Sequence, residues 1–158
     1  MTDQTPETVF TIDTSSIKFG PGATSEAGYE LTRLGATRVM VVTDPKMSSS
    51  QAVRTATDSL KNSHIDFTVF DQVNVEPTDT SLKEAINFAV DGKFDGYLPI
   101  GGGSSIDTAK AANLYSTYPA DFLEYVNAPI GKGTPVPGDL KPLVAVPTTS
   151  GTGSETTG

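Results

Sequence analysis

Apolar residues along this chain fall into two rhythms. Short unbroken runs at 38–44 (RVMVVTD), 65–70 (IDFTVF), 94–100 (FDGYLPI) and 143–146 (LVAV) read as strands, the first as one buried on both faces. Between them apolar positions recur at helical spacing. Residues 24–35 predict a helix with Thr24 or Ser25 as N-cap, Leu31 and Leu34 on one face, and Gly35 as the stop. Residues 48–63 predict a second through Val53, Ala56 and Leu60, 81–90 a third through Leu82, Ala85, Ile86 and Ala89, and 104–115 a fourth. VFTI (9–12) and SIKFG (16–20) around DTSS predict an N-terminal hairpin, and DFLEYV (121–126) a short helix. Residues 1–8 are expected to be a disordered tail, and 127–142, rich in Pro and Gly, a loop.

Strands alternating with helices of this length predict an α/β fold, a mostly parallel sheet with helices on both faces. Ligands in such sheets sit beyond the carboxyl ends of the strands. Three loops there have unusual chemistry: Thr43-Asp44, GGGSS at 101–105 and PTTSGTGSE at 147–155.

Composition narrows the functions available. With 158 residues the chain is expected to form one domain, and 36% hydrophobic against 19% charged residues suits a globular one. A net charge of −8 speaks against nucleic acid or an anionic membrane as partner, although an acidic protein can still hold a phosphate locally. Having no cysteine, the chain offers neither disulfides nor thiolate chemistry. The N-terminal residues MTDQTPET have no apolar core and no Arg-rich character, so a cytoplasmic location is the expectation.

The glycine triplet admits two readings. Gly101, Gly102 and Gly103 can offer side-chain-free amides at a helix N-terminus, a cradle for a diphosphate, or they can simply make a tight strand-to-helix turn. Ser104 with Asp107 three residues later has the spacing of a capping box. The loop is not a Walker A, since no Lys-Ser/Thr pair follows. Nor is it the ordinary dinucleotide fingerprint, whose third glycine would fall on Ile106. Asp44 can accept the ribose hydroxyls of an adenosine and repel a 2′-phosphate, or serve as the turn residue of TDPK. The hydroxyls of PTTSGTGSE can line a phosphate and nicotinamide path, or belong to a flexible polar end.

Taken together and in this order, VTD, GGGSSIDTAK and PTTSGTGSE resemble the iron-dependent (group III) alcohol dehydrogenase family, from about Ile17 to Gly158. VEPTD, KAANLY, DFLEYVNAPIGKG and LKPLVAVPTTSGTGSETTG look closest to its hydroxyacid-oxoacid transhydrogenase branch. The resemblance implies a Rossmann-like domain of the dehydroquinate synthase-like N-terminal type, spanning 9–158. It implies NAD as cofactor. Asp44 would contact the adenosine ribose, Gly101, Gly102, Gly103, Ser104 and Ser105 would hold the pyrophosphate, and Asp107 would order that loop. Thr148, Thr149 and Thr152 would lie along the phosphate and nicotinamide ribose, with Ser154 and Glu155 shaping the adjoining wall. Where many relatives have Asn in a PNPT-like loop this chain has Glu76-Pro77-Thr78, which departs from the family's adenine contact.

The family's iron or zinc is held by one Asp and three His of a helical domain that the resemblance places after Gly158. The only histidine here is His64, expected at the surface, and Asp121 and Glu124 suit a solvated helix face. The expectation is therefore an NAD-binding domain without its metal-binding partner, inactive alone, although transhydrogenase relatives couple 4-hydroxybutyrate oxidation to 2-oxoglutarate reduction. Two other functions remain in view: a binding or self-assembly module forming a homo-oligomer, and a nucleoside-phosphate or phosphosugar binder using the same glycines.

Overall fold

The computed structural model describes residues 15–157. A 3-10 turn (Ala23–Glu26) leads into α1 (Ala27–Arg33), followed by β1 (Arg38–Val42), α2 (Gln51–Asn62), β2 (Asp66–Phe70) and α3 (Asp79–Gly92). Then come β3 (Gly96–Gly101), α4 (Gly103–Thr117) and β4 (Val146–Pro147). The strands lie in the order β2-β1-β3-β4, every neighbouring pair parallel.

Alternation along β1 explains why its residues are apolar without a break. Val39 and Val41 enter one cluster with Leu31, Val53, Ala56, Leu60, Leu98 and Ile100, under α1 and α2. Met40 and Val42 enter the other with Phe70, Ala85, Ala89, Phe94, Tyr97, Ala109 and Ala112, under α3 and α4. Burying each large side chain contributes about 1.5–3 kcal/mol, so both helix layers are held to the sheet by this one strand and its neighbour β3. The expected α/β sandwich is the observed one.

Several local expectations fail for identifiable reasons. VFTI lies outside the described residues, and SIKFG forms no strand there: Ile17 is 74% and Phe19 100% exposed. Neither Thr24 nor Ser25 caps α1, since the Ser25 hydroxyl donates instead to the Gly22 carbonyl at 2.7 Å. Leu34 is exposed, but the helix does stop at Gly35, whose φ of 87° is a left-handed value that favours glycine.

Residues 121–126 form turns, not a helix. The Asp121 carboxylate accepts from the Leu123 N–H at 3.0 Å, a local bond that competes with helix formation. Glu124 accepts from Lys132 Nζ at 2.7 Å and from the Thr134 hydroxyl at 2.8 Å, and Lys132, followed by the Thr134 hydroxyl, holds its carboxyl below the usual range. These two carboxylates tie a loop together; they do not line a solvated helix face.

The last strand is shorter than LVAV predicts. Leu143 makes an isolated bridge to Tyr97, and only Val146–Pro147 pair continuously with β3. Pro142 and Pro147 have no N–H to contribute to a ladder. Helix α4 supplies the missing support. Asn113 donates to the Lys141 carbonyl at 2.8 Å and accepts from the Lys141 N–H at 3.2 Å, and the Tyr118 hydroxyl donates to the Asp139 carbonyl at 2.9 Å. Among the described residues no helix is long and apolar enough to cross a membrane.

Candidate functional site

The chain leaves β1 toward β2 on one side and leaves β3 toward β4 on the other, so a crevice opens where the two strands end side by side. Asp44 follows β1 there, and the glycine triplet follows β3. Thr43 fixes the spacing between them. Fully buried, it donates its hydroxyl to the Ile100 carbonyl at 2.8 Å, its N–H to Phe70 at 2.9 Å, and accepts from the Val73 N–H at 3.3 Å.

The turn reading of Asp44 is met by one carboxylate oxygen, and the other stands apart from it. Oδ1 accepts from the backbone N–H groups of Lys46 and Met47 at 2.9 and 3.0 Å, which is the turn role. Oδ2 has no donor among the described residues and lies 3.9 Å from where a Cβ on Gly101 would stand. The turn thus orients the carboxylate and leaves its second oxygen facing the glycine loop.

Gly101 has φ 156°, and a Cβ there would collide with the Ser105 side chain. Gly102 is the N-cap of α4 and Gly103 its first residue, with no side-chain hydrogen bond closing the helix end. This corrects the expected cap: Ser104 lies inside the first turn, and Asp107 is exposed one turn on without bonding to the loop. The Ser105 and Ile106 N–H groups both bond to the Gly102 carbonyl, at 3.1 and 3.3 Å. The N–H groups of Gly102, Gly103 and Ser104 are left without an acceptor among the described residues, at the positive end of a 15-residue helix.

Ser105 differs from expectation as well. Its hydroxyl is buried with no hydrogen-bond partner, and its N–H is already used, so in this arrangement it offers an anion neither group. It packs beneath Gly101.

The 147–157 segment forms the facing wall. Thr148 donates its N–H to the Gly101 carbonyl at 2.9 Å, registering the wall against the glycines. A Cβ on Gly102 would stand 3.2 Å from Thr149 Oγ1, and one on Gly103 would stand 2.6 Å from Thr152 Oγ1 and 3.0 Å from Ser154 Oγ. The bare backbone therefore serves close approach as well as turning. Thr152 and Ser154 hydroxyls lie 3.0 Å apart, Ser154 is buried and Glu155 is exposed. Sequence reasoning placed Thr43 in a candidate loop without giving it a role, and gave none to Asn113 or Lys110; the partners of all three are distant in the chain.

Other candidate chemistry lies elsewhere or does not assemble. His64 is exposed in a left-handed turn at φ 57°, and among the described residues no three His, Cys, Asp or Glu side chains converge on a point. Thr78 of the VEPTD loop caps α3, accepting from the Ser81 N–H at 3.2 Å while Ser81 Oγ accepts from the Thr78 N–H at 2.9 Å. A surface groove of about 520 Å³ runs between α3 and the 121–130 turns, lined by Lys83, Phe122, Leu123 and Ile130. It touches none of the expected site residues, which lie at the strand exits.

The mitochondrial hydroxyacid-oxoacid transhydrogenase of Bos taurus is 57% identical over 156 residues, 98% of this chain and 34% of that protein. Among solved structures, a 1,3-propanediol oxidoreductase superposes with a TM-score of 0.83 at 29% identity, over 95% of this chain and 38% of its own. The NADH-dependent butanol dehydrogenase A of Thermotoga maritima superposes at 0.78 with 27% identity, over 94% and 36%. The chain spans about a third of the length of the curated relatives it matches. The name of the bovine protein overturns the cytoplasmic expectation, because a relative this similar is mitochondrial. That expectation rested on the absence of an address in eight residues, and a missing signal is not an address. The family description "iron-containing alcohol dehydrogenase" matches residues 14–158, and the chain belongs to that family.

Proposed function

We propose that residues 9–158 form the NAD-binding unit of a metal-dependent oxidoreductase of the kind that couples 4-hydroxybutyrate oxidation to 2-oxoglutarate reduction. One observation carries this reading: the N–H groups of Gly102, Gly103 and Ser104 have no acceptor among the described residues, while the Thr149 and Thr152 hydroxyls stand close beside Gly102 and Gly103. The residues present fit a dinucleotide. Amides at a helix N-terminus bind a diphosphate, and the Thr hydroxyls donate to its outer oxygens. Asp44 Oδ2 accepts from ribose hydroxyls, and its charge disfavours a 2′-phosphate. Bound NAD supplies the hydride acceptor; the protein's part is to fix the dinucleotide across the strand exits. The names of the bovine relative and of the Thermotoga maritima enzyme support the reaction class and the cofactor.

The described residues do not fit iron or zinc, which need several convergent ligands. As a polypeptide of these 158 residues, the protein should show negligible dehydrogenase or transhydrogenase turnover. Metal-stimulated turnover by highly purified material would refute that. Calorimetric titration tests the binding reading: NAD binds saturably and more tightly than NADP, and Asp44→Ala weakens NAD about tenfold. Preference of the wild type for NADP would overturn the role of Asp44.

Full exposure of Phe19, beside exposed Ile17, favours a second reading in which two copies of the chain associate through this segment. Size-exclusion chromatography separates the two. A dimer indifferent to NAD supports assembly as the function, whereas a monomer with saturable NAD binding supports the cofactor reading.

A further inference from the structure

Lys110 lies two turns beyond the glycines on α4, and none of the site roles above involves it. Its ammonium donates to the carbonyl of Thr157 and, at 2.9 Å, to the Thr157 hydroxyl. The Thr157 hydroxyl donates in turn to the Ser154 carbonyl at 3.2 Å. Ser154 exchanges a hydrogen bond with Thr152 at 3.0 Å, and these two side chains are the ones that abut Gly103. A continuous relay therefore runs from the third turn of α4, through the end of the wall, back to the first turn of the same helix.

We propose that Lys110 is a positioning residue that sets the width of the candidate diphosphate cradle, by anchoring the 152–157 turn to the helix whose first amides form the opposite side. The inference rests on the NAD-binding reading of the site. β4 pairs over two residues only, and beyond the Thr148 N–H bond to Gly101 the wall is tied down by side chains, of which Lys110 is the one nearest the glycines along α4. Asn113 and Tyr118 anchor residues 139–141, farther back on the same run. Burial lowers the Lys110 pKa, and the charges of Asp107 and Glu155 oppose that shift. A tether of this kind acts on the distance between two walls and makes no direct contact with ligand. Misplacing one wall costs the hydrogen bonds that need both.

The test measures amide hydrogen exchange without nucleotide and NAD affinity by calorimetry, in the 158-residue chain and its Lys110→Met and Lys110→Arg variants. In Lys110→Met, exchange should rise about tenfold or more in 152–157 while β1 and β3 stay protected, and NAD should bind about tenfold more weakly. Lys110→Arg, which keeps two donors on a long stem, should restore NAD affinity to within about threefold of wild type. Unchanged exchange in 152–157 overturns the tether whether or not NAD binds. Unchanged NAD affinity alongside raised exchange overturns its link to the cradle. If the wild type takes up no NAD, the cofactor reading fails and with it the cradle role, while the exchange data still decide whether the tether exists.

Discussion

Helices α3 and α4 pack side by side on the same face of the sheet, yet they begin in opposite ways. At α3 the chain satisfies its own first turn. Thr78 accepts from the Ser81 N–H, and Ser81 returns the bond to Thr78. At α4 the cap position is glycine, and the serine three residues later, Ser105, has turned its hydroxyl into the interior without finding a partner. Both helices have a serine at the same offset from the cap, so the difference lies in the residue at the cap itself. A threonine closes the end; a glycine leaves three amides without an acceptor among the described residues. The closed end contributes to stability, and the open one is where an anion gains most from the helix dipole.

That contrast can be broken most severely at Gly103. In Gly103→Ala the added methyl would press on Thr152 and Ser154, and NAD affinity should fall on the order of a hundredfold by calorimetry. Folding should be intact, since alanine suits a helical position. Retained affinity would mean that the wall does not matter to binding. Thr78→Ala should do the reverse, lowering stability in urea by about 1 kcal/mol while leaving NAD affinity unchanged. The smallest effect belongs to Ser105→Ala, which removes a hydroxyl that has no partner. Urea denaturation should show a change within about 0.5 kcal/mol, or a slight gain. A loss beyond about 1 kcal/mol would reveal a hydrogen bond to this hydroxyl in solution.

Much of the architecture was legible because it depends on periodicity. The unbroken run in β1 and the Val53, Ala56, Leu60 stripe of α2 declare buried faces without help from distant residues. The three candidate loops lie together at the strand exits, and they stood out in the sequence because glycine triplets and clustered hydroxyls are conspicuous locally. What escaped was decided by partners far along the chain. LVAV has the composition of a strand, but the prolines around it interrupt the ladder, and the bonds from α4 go to residues on either side of it, Asn113 to Lys141 and Lys110 to Thr157. DFLEYV has helical spacing, but Asp121 and Glu124 find local and loop partners that a helix would forfeit. Ser104 and Asp107 have the spacing of a cap, and the chain begins its helix two residues earlier, on glycine.

Thr43 is sealed in the interior, with its hydroxyl on one neighbouring strand and its main chain on the other. The gauge between the carboxylate and the glycines is consequently set in the core rather than at the surface. Substitutions in the exposed loops change which atoms line the strand exits, whereas the spacing between those loops is inherited from a buried residue.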